Sequence, residues 1–469
     1  MIYHHLFTDK KVYAAVIGAG HFCAAIVTQQ AYNDCIIIPL IADKNLDNAR
    51  GAYLKAEIPE ELIVYCDTAE AAQSAIEEGK FVYTDHTEII MDTPIIDIVC
   101  EGTGVPEAGA RNCKLALEKG KHVAIVSKEM DSVIGPILNK MAKEKGLVYT
   151  PVDGDQHGLL MQMVEWAKLV GLEVISAGKA RDGEFILDEA NKTVSIACDG
   201  ITVHEDCVAN IPDDMMKYME MIPKGHAEEY VAKRGELLHS LPNAGAFDLC
   251  ELTIMANCTG LKPAVPDTSK ATLRITELPV AYCAKKNGGI YEDEGIIDVH
   301  TNFRRADESG MGGGVFMVVR CNNAYSNYIL TTKGQIPNYD KSTAVIYRPY
   351  HLCGVEVGTT LLAAGQLGIS TGARCYVPTY DLVKRAECDI KAGEVLGNDH
   401  DLRMTASIVP ATKMAPASPI PAHMITGNVA RVDIKAGETI TYDMIAAPAD
   451  SVLWELRKMQ EETAFEPFK

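Results

Sequence analysis

The chain has 469 residues, 47% of them hydrophobic and 23% charged, the composition of a globular protein of about three domains, which excludes collagen, coiled coil and disorder. Its 44 Lys and Arg stand against 64 Asp and Glu, and the resulting net charge of −20 repels phosphate backbones and anionic lipid, so neither nucleic acid nor a membrane is an expected partner.

The start of the chain, with His4, His5, Asp9 and paired lysines, lacks the apolar core of a secretory signal. Apolar runs such as residues 35–42 stop well short of the roughly eighteen residues a membrane-spanning helix needs. A cytoplasmic protein is expected. The fourteen cysteines include no C-x-x-C pair, and the spacing of Cys250 and Cys258 suits no zinc site. Buried thiols and no metal are therefore expected.

From Val12 to about Thr150, short β-branched runs at 12–17, 36–42, 63–65, 96–100, 122–126 and 147–150 alternate with amphipathic stretches. This predicts an α/β fold with a doubly wound, Rossmann-type parallel sheet over residues 1–152. Asp67 with Glu70 reads as a capping box for a helix at 69–78, and Gly120 and Gly146 as helix stops. Residues 153–350 mix longer helices (159–170) with strand-like runs (173–177, 296–300, 315–320), predicting an inserted α+β catalytic and oligomerisation domain. The glycine-rich stretch 309–314 reads as a surface hairpin or a mobile loop near a site. A helix within 351–375 is expected to return to the first domain. Residues 376–469, in which Asp389-Ile-Lys-Ala-Gly-Glu394 recurs as Asp433-Ile-Lys-Ala-Gly-Glu438, read as a small β-rich domain built on repeated turns.

The first strand runs into Gly18-Ala19-Gly20-His21-Phe22-Cys23, a dinucleotide fingerprint with cysteine in place of the third glycine, where only a small side chain is needed. Asp43 ends the second strand, where a carboxylate accepts from the adenosine ribose and repels a 2′-phosphate. That favours NAD, while Lys44 and Arg50 keep NADP open. Gly102, Thr103 and Gly104 follow the fourth predicted strand, at the edge where a nicotinamide ribose lies. Ser127 and Lys128 follow the fifth. A lysine at such a strand end is usually just solvated, but in a nicotinamide site it can bond the reacting oxygen and stabilise its charge as hydride moves, the reading that the sheet position supports. Glu129, Asp131, Asp155, Gln156 and His157 place carboxylates, an amide and an imidazole nearby, with helix capping by Asp155 as the structural alternative. Lys179 and Arg181 end a strand as two cations suited to an anionic substrate group.

With Glu101-Gly102-Thr103-Gly104-Val105-Pro106, Glu129-Met130-Asp131, Gly154-Asp155-Gln156, Ala177-Gly178-Lys179, Tyr347-Arg348-Pro349-Tyr350-His351-Leu352 and the paired turns, the chain resembles homoserine dehydrogenase-like NAD(P)-dependent oxidoreductases with a C-terminal SAF domain. That group includes deoxyxylulose-phosphate reductoisomerase-like enzymes. The resemblance implies hydride transfer between NAD(P)(H) and a small polar hydroxy or keto substrate, and a homodimer or higher homo-oligomer. It departs from the family at Ser127, where homoserine dehydrogenases carry asparagine, and at His157, where proline is usual. Expected site residues are Lys128, Glu129, Asp155 and Lys179 for the chemistry, with Asp131, Gln156, His157 and Arg181 for substrate. Gly18, Ala19, Gly20, His21, Phe22, Asp43, Gly102, Thr103, Gly104 and Ser127 are expected to hold the cofactor. Reductive isomerisation of deoxyxylulose phosphate and homoserine oxidation are alternatives, and a non-catalytic redox sensor is a third.

Overall fold

A computed structural model describes residues 5–197 and 207–468 of the chain, so His4 and Cys198 lie outside the described residues. Seven parallel strands form the first sheet in the order β3-β4-β2-β1-β5-β6-β7: Val12–Ile17 (β1), Ile36–Ala42 (β2), Ile63–Tyr65 (β3), Phe81–Thr84 (β4), Ile98–Glu101 (β5), His122–Ile125 (β6) and Tyr149–Pro151 (β7). The order reverses at β1, and sites in such sheets open beyond the carboxyl ends of the strands at this switch. The sequence pattern passes over β4, Phe81-Val82-Tyr83-Thr84, which holds one aliphatic β-branched residue where the neighbouring strands hold Val and Ile runs. The later strands begin two residues beyond the predicted starts at 96 and 147. Thr68, not Asp67, caps the helix Ala69–Glu77: its hydroxyl accepts from the Ala71 amide at 3.2 Å, because the capping geometry belongs to the residue immediately before the helix.

Both faces of the sheet are buried. Helices Pro106–Glu118 and Lys128–Glu144 cover one, together with Leu453 and Leu456 of the last helix, Val452–Glu462. On the other face, Val357, Leu361 and Ala364 pack with Val12, Val16 and Ile26, so the chain does pass back over the first sheet after the second is complete. Among the described residues no helix is long and apolar enough to cross a membrane.

The second sheet is mixed. Its centre holds Leu172–Ala180 (β8) between the parallel Ile296–Arg305 (β14) and the antiparallel Val315–Cys321 (β15). Helices Gln156–Leu169 and Ala246–Thr259 lie against one face. The glycine-rich stretch at 309–314 is neither a simple surface hairpin nor loose. Glu184, buried beneath it, accepts from the Met311 and Gly312 amides at 2.6 and 3.1 Å and from Asn302 at 2.6 Å, which holds the backbone down.

In the C-terminal region, Tyr380–Ala386 (β18) and Met404–Pro410 (β19) pair antiparallel, and the two repeated turns meet each other. Ile390 bridges Ile434. The Asp433 carboxylate accepts from the Ala392 amide and the Lys391 ammonium at 3.0 and 2.9 Å, and Asp389 does the same for Ala436 and Lys435 at 3.1 and 2.9 Å. The repeat is therefore reciprocal: each aspartate caps the other copy's turn. This domain does not stand apart, since Ile390, Leu396, Ile434 and Ile440 share one apolar core with the first sheet.

Candidate active site

Beyond the carboxyl end of β1, Gly18 sits at φ +85°, and a Cβ there would come within 2.6 Å of the Gly102 carbonyl oxygen. Only glycine allows both that backbone conformation and that approach. The Cys23 sulfur packs against Gly102 so closely that a methyl on Gly102 would overlap it, which explains why a small side chain serves at the third fingerprint position. A groove of about 570 Å³ opens over these loops, lined by Gly18, Gly20, Asp43, Lys44, Gly102, Thr103 and Arg111 among others. Nothing lies within 4 Å of a Cβ built on Gly20, at the start of the helix His21–Gln30, so the groove is open where helix amides face outward. These features fit a dinucleotide. Gly20→Leu is expected to leave the fold and melting temperature unchanged while abolishing NADH binding in calorimetry, because the new side chain occupies the groove and meets no protein atom.

Asp43 is held rigidly. One carboxylate oxygen accepts from the Ala19 amide at 2.6 Å and the other from Asn45 at 2.7 Å, which ties the end of β2 to the fingerprint turn. Arg50 pairs with Glu60, whereas Lys44 lines the groove. Ser127 joins the loops that follow β5 and β6 by accepting from the Gly104 amide at 2.9 Å. The neighbouring Glu101 is fully buried and accepts from the Thr103 amide and hydroxyl at 3.2 and 2.6 Å. Burial pushes its carboxyl up.

Lys128 opens its helix just past β6, and its ammonium pairs with Glu251, a residue with no part in the sequence reading. The other Glu251 oxygen takes the Lys179 ammonium at 2.5 Å, and Lys179 also meets Asp248 at 2.9 Å. One buried carboxylate thus bridges two lysines brought from β6 and β8. Burial opposes every one of these charges. The surrounding opposite charges outweigh it, holding Lys128 and Lys179 above the ordinary lysine range and Glu251 and Asp248 below the ordinary carboxylate range. Lys179 is already compensated by two carboxylates, and Arg181 donates to the Pro242 carbonyl at 2.9 Å. Neither stands as an uncommitted cation awaiting an anion. Gln156 is occupied as well, donating to the Ala180 carbonyl at 3.2 Å and to Asp182 at 3.3 Å. Asp182 and His351 both approach Gly313 so closely that a Cβ there would overlap them.

Asp155 caps its helix through the Gln156 amide at 2.8 Å, the structural alternative, and its charge also helps hold the Lys128 ammonium protonated. Burial alone would raise its carboxyl, but His157 at 3.4 Å and Lys128 hold it well below the usual range. His157 and Asp131 are fully buried, 0% and 1% exposed, His157 against Asp155. Asp131 instead accepts from the Tyr149 hydroxyl at 2.6 Å, and burial raises its pKa to about 6. A carboxyl raised on folding favours the native state below its unfolded pKa and works against it as pH climbs to the folded value. Asp131→Asn is therefore expected to gain stability relative to the parent as pH rises from about 4 to about 6, read by urea unfolding across that range. Glu129, partly buried, lies near His423 and Asp399 of the C-terminal region, and burial raises it too.

Asp248 and Glu251 carry a signal that sequence reading can use: two acids three residues apart in the otherwise apolar helix Ala246–Thr259. Asp182 and His351 sit in loops without such a mark.

Residues 385–446 match the SAF domain family. No curated protein matches the chain. Similar solved structures include levoglucosan dehydrogenase in complex with NADH, at 15% identity over 39% of this chain and 45% of that one, TM-score 0.26. They also include 1-deoxy-D-xylulose 5-phosphate reductoisomerase from Zymomonas mobilis in complex with NADPH (17%, 37% and 47%, TM-score 0.28). An NAD binding oxidoreductase from Klebsiella pneumoniae is a third (16%, 39% and 44%, TM-score 0.25). The chain spans less than half the length of each. The stretch that carries Asp155, Lys179 and Glu251, residues 154–357, matches the family described as "Oxidoreductase DRL, catalytic domain".

Proposed function

We propose that the chain transfers hydride between a nicotinamide dinucleotide in the Gly18–Gly20 groove and a small polar hydroxy or keto compound held at Lys128. The observation that carries this reading is the position of Lys128: it follows β6 directly, on the same sheet edge as the groove, with its charge secured by Glu251 and Asp155. The bound nicotinamide would accept or give up the hydride. Lys128 donates a hydrogen bond to the substrate oxygen and stabilises the negative charge that grows there as a hydroxyl is oxidised. Asp155 stays ionised and keeps the Lys128 ammonium charged, and the proton that the hydroxyl loses passes to solvent. Glu251 holds the two lysines in register and does not itself react.

Asp155, Asp182, Asp248 and Glu251 here face Lys128, Lys179, Arg181 and His157, so each of these cations near the reacting end already meets a carboxylate or a carbonyl. With none of them left over for a phosphate, the site favours a hydroxy compound of the homoserine kind over deoxyxylulose phosphate. The screen that tests it follows NADH formation with hydroxy acids, polyols and homoserine against sugar phosphates. Turnover confined to phosphorylated substrates overturns the charge argument.

The fixed Asp43 carboxylate and the engagement of Arg50 by Glu60 support a preference for NAD. Asp43→Ser is expected to shift the ratio of NADH to NADPH affinity toward NADPH, with Lys44 left to meet the 2′-phosphate. A shift the other way in calorimetry removes the ribose role.

A further inference from the structure

We propose that the loop at 397–401 in the C-terminal region forms the outer wall of the reaction site, with His400 as a specificity-determining residue that holds Phe247 against Lys128. The proposal rests on Lys128 being the reacting-oxygen donor. The His400 ring lies 4.6 Å from the Phe247 ring, centroid to centroid, and the Lys128 ammonium lies 5.9 Å from the same Phe247 centroid. Phe247 precedes Asp248, the partner of Lys179. Burial falls off along this row, from a largely buried ammonium through a half-buried phenyl ring to an exposed imidazole.

An exposed histidine in a loop is ordinarily free to wander, but the stem of this loop is anchored by buried polar groups. Lys384 donates to the Asn398 carbonyl at 2.8 Å and pairs with Asp399 at 3.2 Å. Asp399 meets Nε2 of His423 at 3.0 Å, and Nδ1 of His423 meets the Ser132 hydroxyl at 3.0 Å. Ser132 lies one helical turn past Lys128 and donates to the Glu129 carbonyl at 3.0 Å. On the far side of the loop, Asp401 accepts from the Gly397 amide at 2.9 Å and pairs with Arg403 at 2.6 Å. Buried charges are costly unless they are mutually satisfied, and satisfied networks impose one geometry. Here that geometry ties the loop to the helix bearing Lys128.

A wall with an aromatic face and an imidazole edge suits the part of a substrate beyond the reacting carbon: C–H groups against Phe247 and a hydroxyl bonded to His400. The ligand class it selects is a hydroxy compound whose chain runs beyond the reacting carbon and carries a further hydrogen-bonding group there.

The wall can be tested without knowing the substrate, by hydroxyl-radical footprinting of the full chain with Phe247 oxidation followed by peptide mass. His400→Ala should bare the Phe247 ring and speed its oxidation several-fold, while Tyr325, 75% exposed on the helix Ala324–Thr332, keeps its rate. His400→Phe, which retains a ring, should leave Phe247 as protected as in the parent. His423→Ala, in the stem, should reproduce the acceleration. Equal Phe247 rates in the parent and in His400→Ala overturn the proposal even if His423→Ala fails to fold, because His400 is exposed and its truncation spares the core. Turnover retained by Lys128→Ala would instead refute the role of Lys128, so the two failures read out separately.

Discussion

Lys128→Ala should lower kcat by roughly a hundredfold to a thousandfold while leaving NADH affinity close to the parent value. One preorganised donor at the oxygen whose charge changes is typically worth about 3 to 4 kcal/mol, and the groove that holds the dinucleotide is lined by other residues. The fold should survive, because Glu251 keeps its second partner, Lys179, at 2.5 Å. Lys128→Arg should restore little: Glu251 accepts a compact ammonium there, and a planar guanidinium cannot reach the carboxylate and a substrate oxygen from the same place. Steady-state kinetics on the substrate found by screening decide the matter. If KM rises and kcat is unchanged, Lys128 binds substrate without acting in the chemical step, and the proposed mechanism falls.

Glu251→Gln should produce the largest loss of stability of any single substitution at the site. The side chain is 2% exposed, and neutralising it leaves Lys128 without its pairing carboxylate and Lys179 with Asp248 alone. Breaking a buried pair from one side typically costs about 3 to 5 kcal/mol, since the partner charge remains out of water. Urea unfolding at neutral pH should show a loss of that order, well beyond that of Lys128→Ala. The pH dependence provides a second check. The lysines hold the Glu251 carboxyl below its ordinary range, so its contribution is present above the unfolded pKa of about 4.3 and is lost as pH falls through the lower folded value. The difference between parent and variant should therefore shrink in acid. A variant as stable as the parent at neutral pH would show that the bridge contributes nothing to the native state.

What the sequence alone determined is local. Runs of Val and Ile bounded by turn residues fall at β1, β2, β3 and β6 because a strand buried on both faces needs that composition wherever it sits. The Gly18-Ala19-Gly20 turn, the Asp43 carboxylate at the end of β2 and Lys128 just past β6 were legible because each is defined by its distance along the chain from a strand end. The cap at Thr68 and the strand Phe81–Thr84 were lost in the same local signals, one displaced by a single residue and the other lacking a run of Val and Ile.

Only the tertiary structure decided which charges meet. Glu251 stands 123 residues beyond Lys128 and 72 beyond Lys179, and it reaches both because the helix Ala246–Thr259 packs against the second sheet with that position facing inward. Periodicity identifies the helix as buried but does not say what lies opposite each residue. The same limit applied to Asp131 and His157, whose near-complete burial no local pattern announced. It applied to His400 as well, which comes from a third region of the chain to lie on Phe247. Hydrogen bonding and burial within one element depend on near neighbours, whereas a charge cluster depends on the angles and offsets at which several elements pack, and those are set only when the whole core closes.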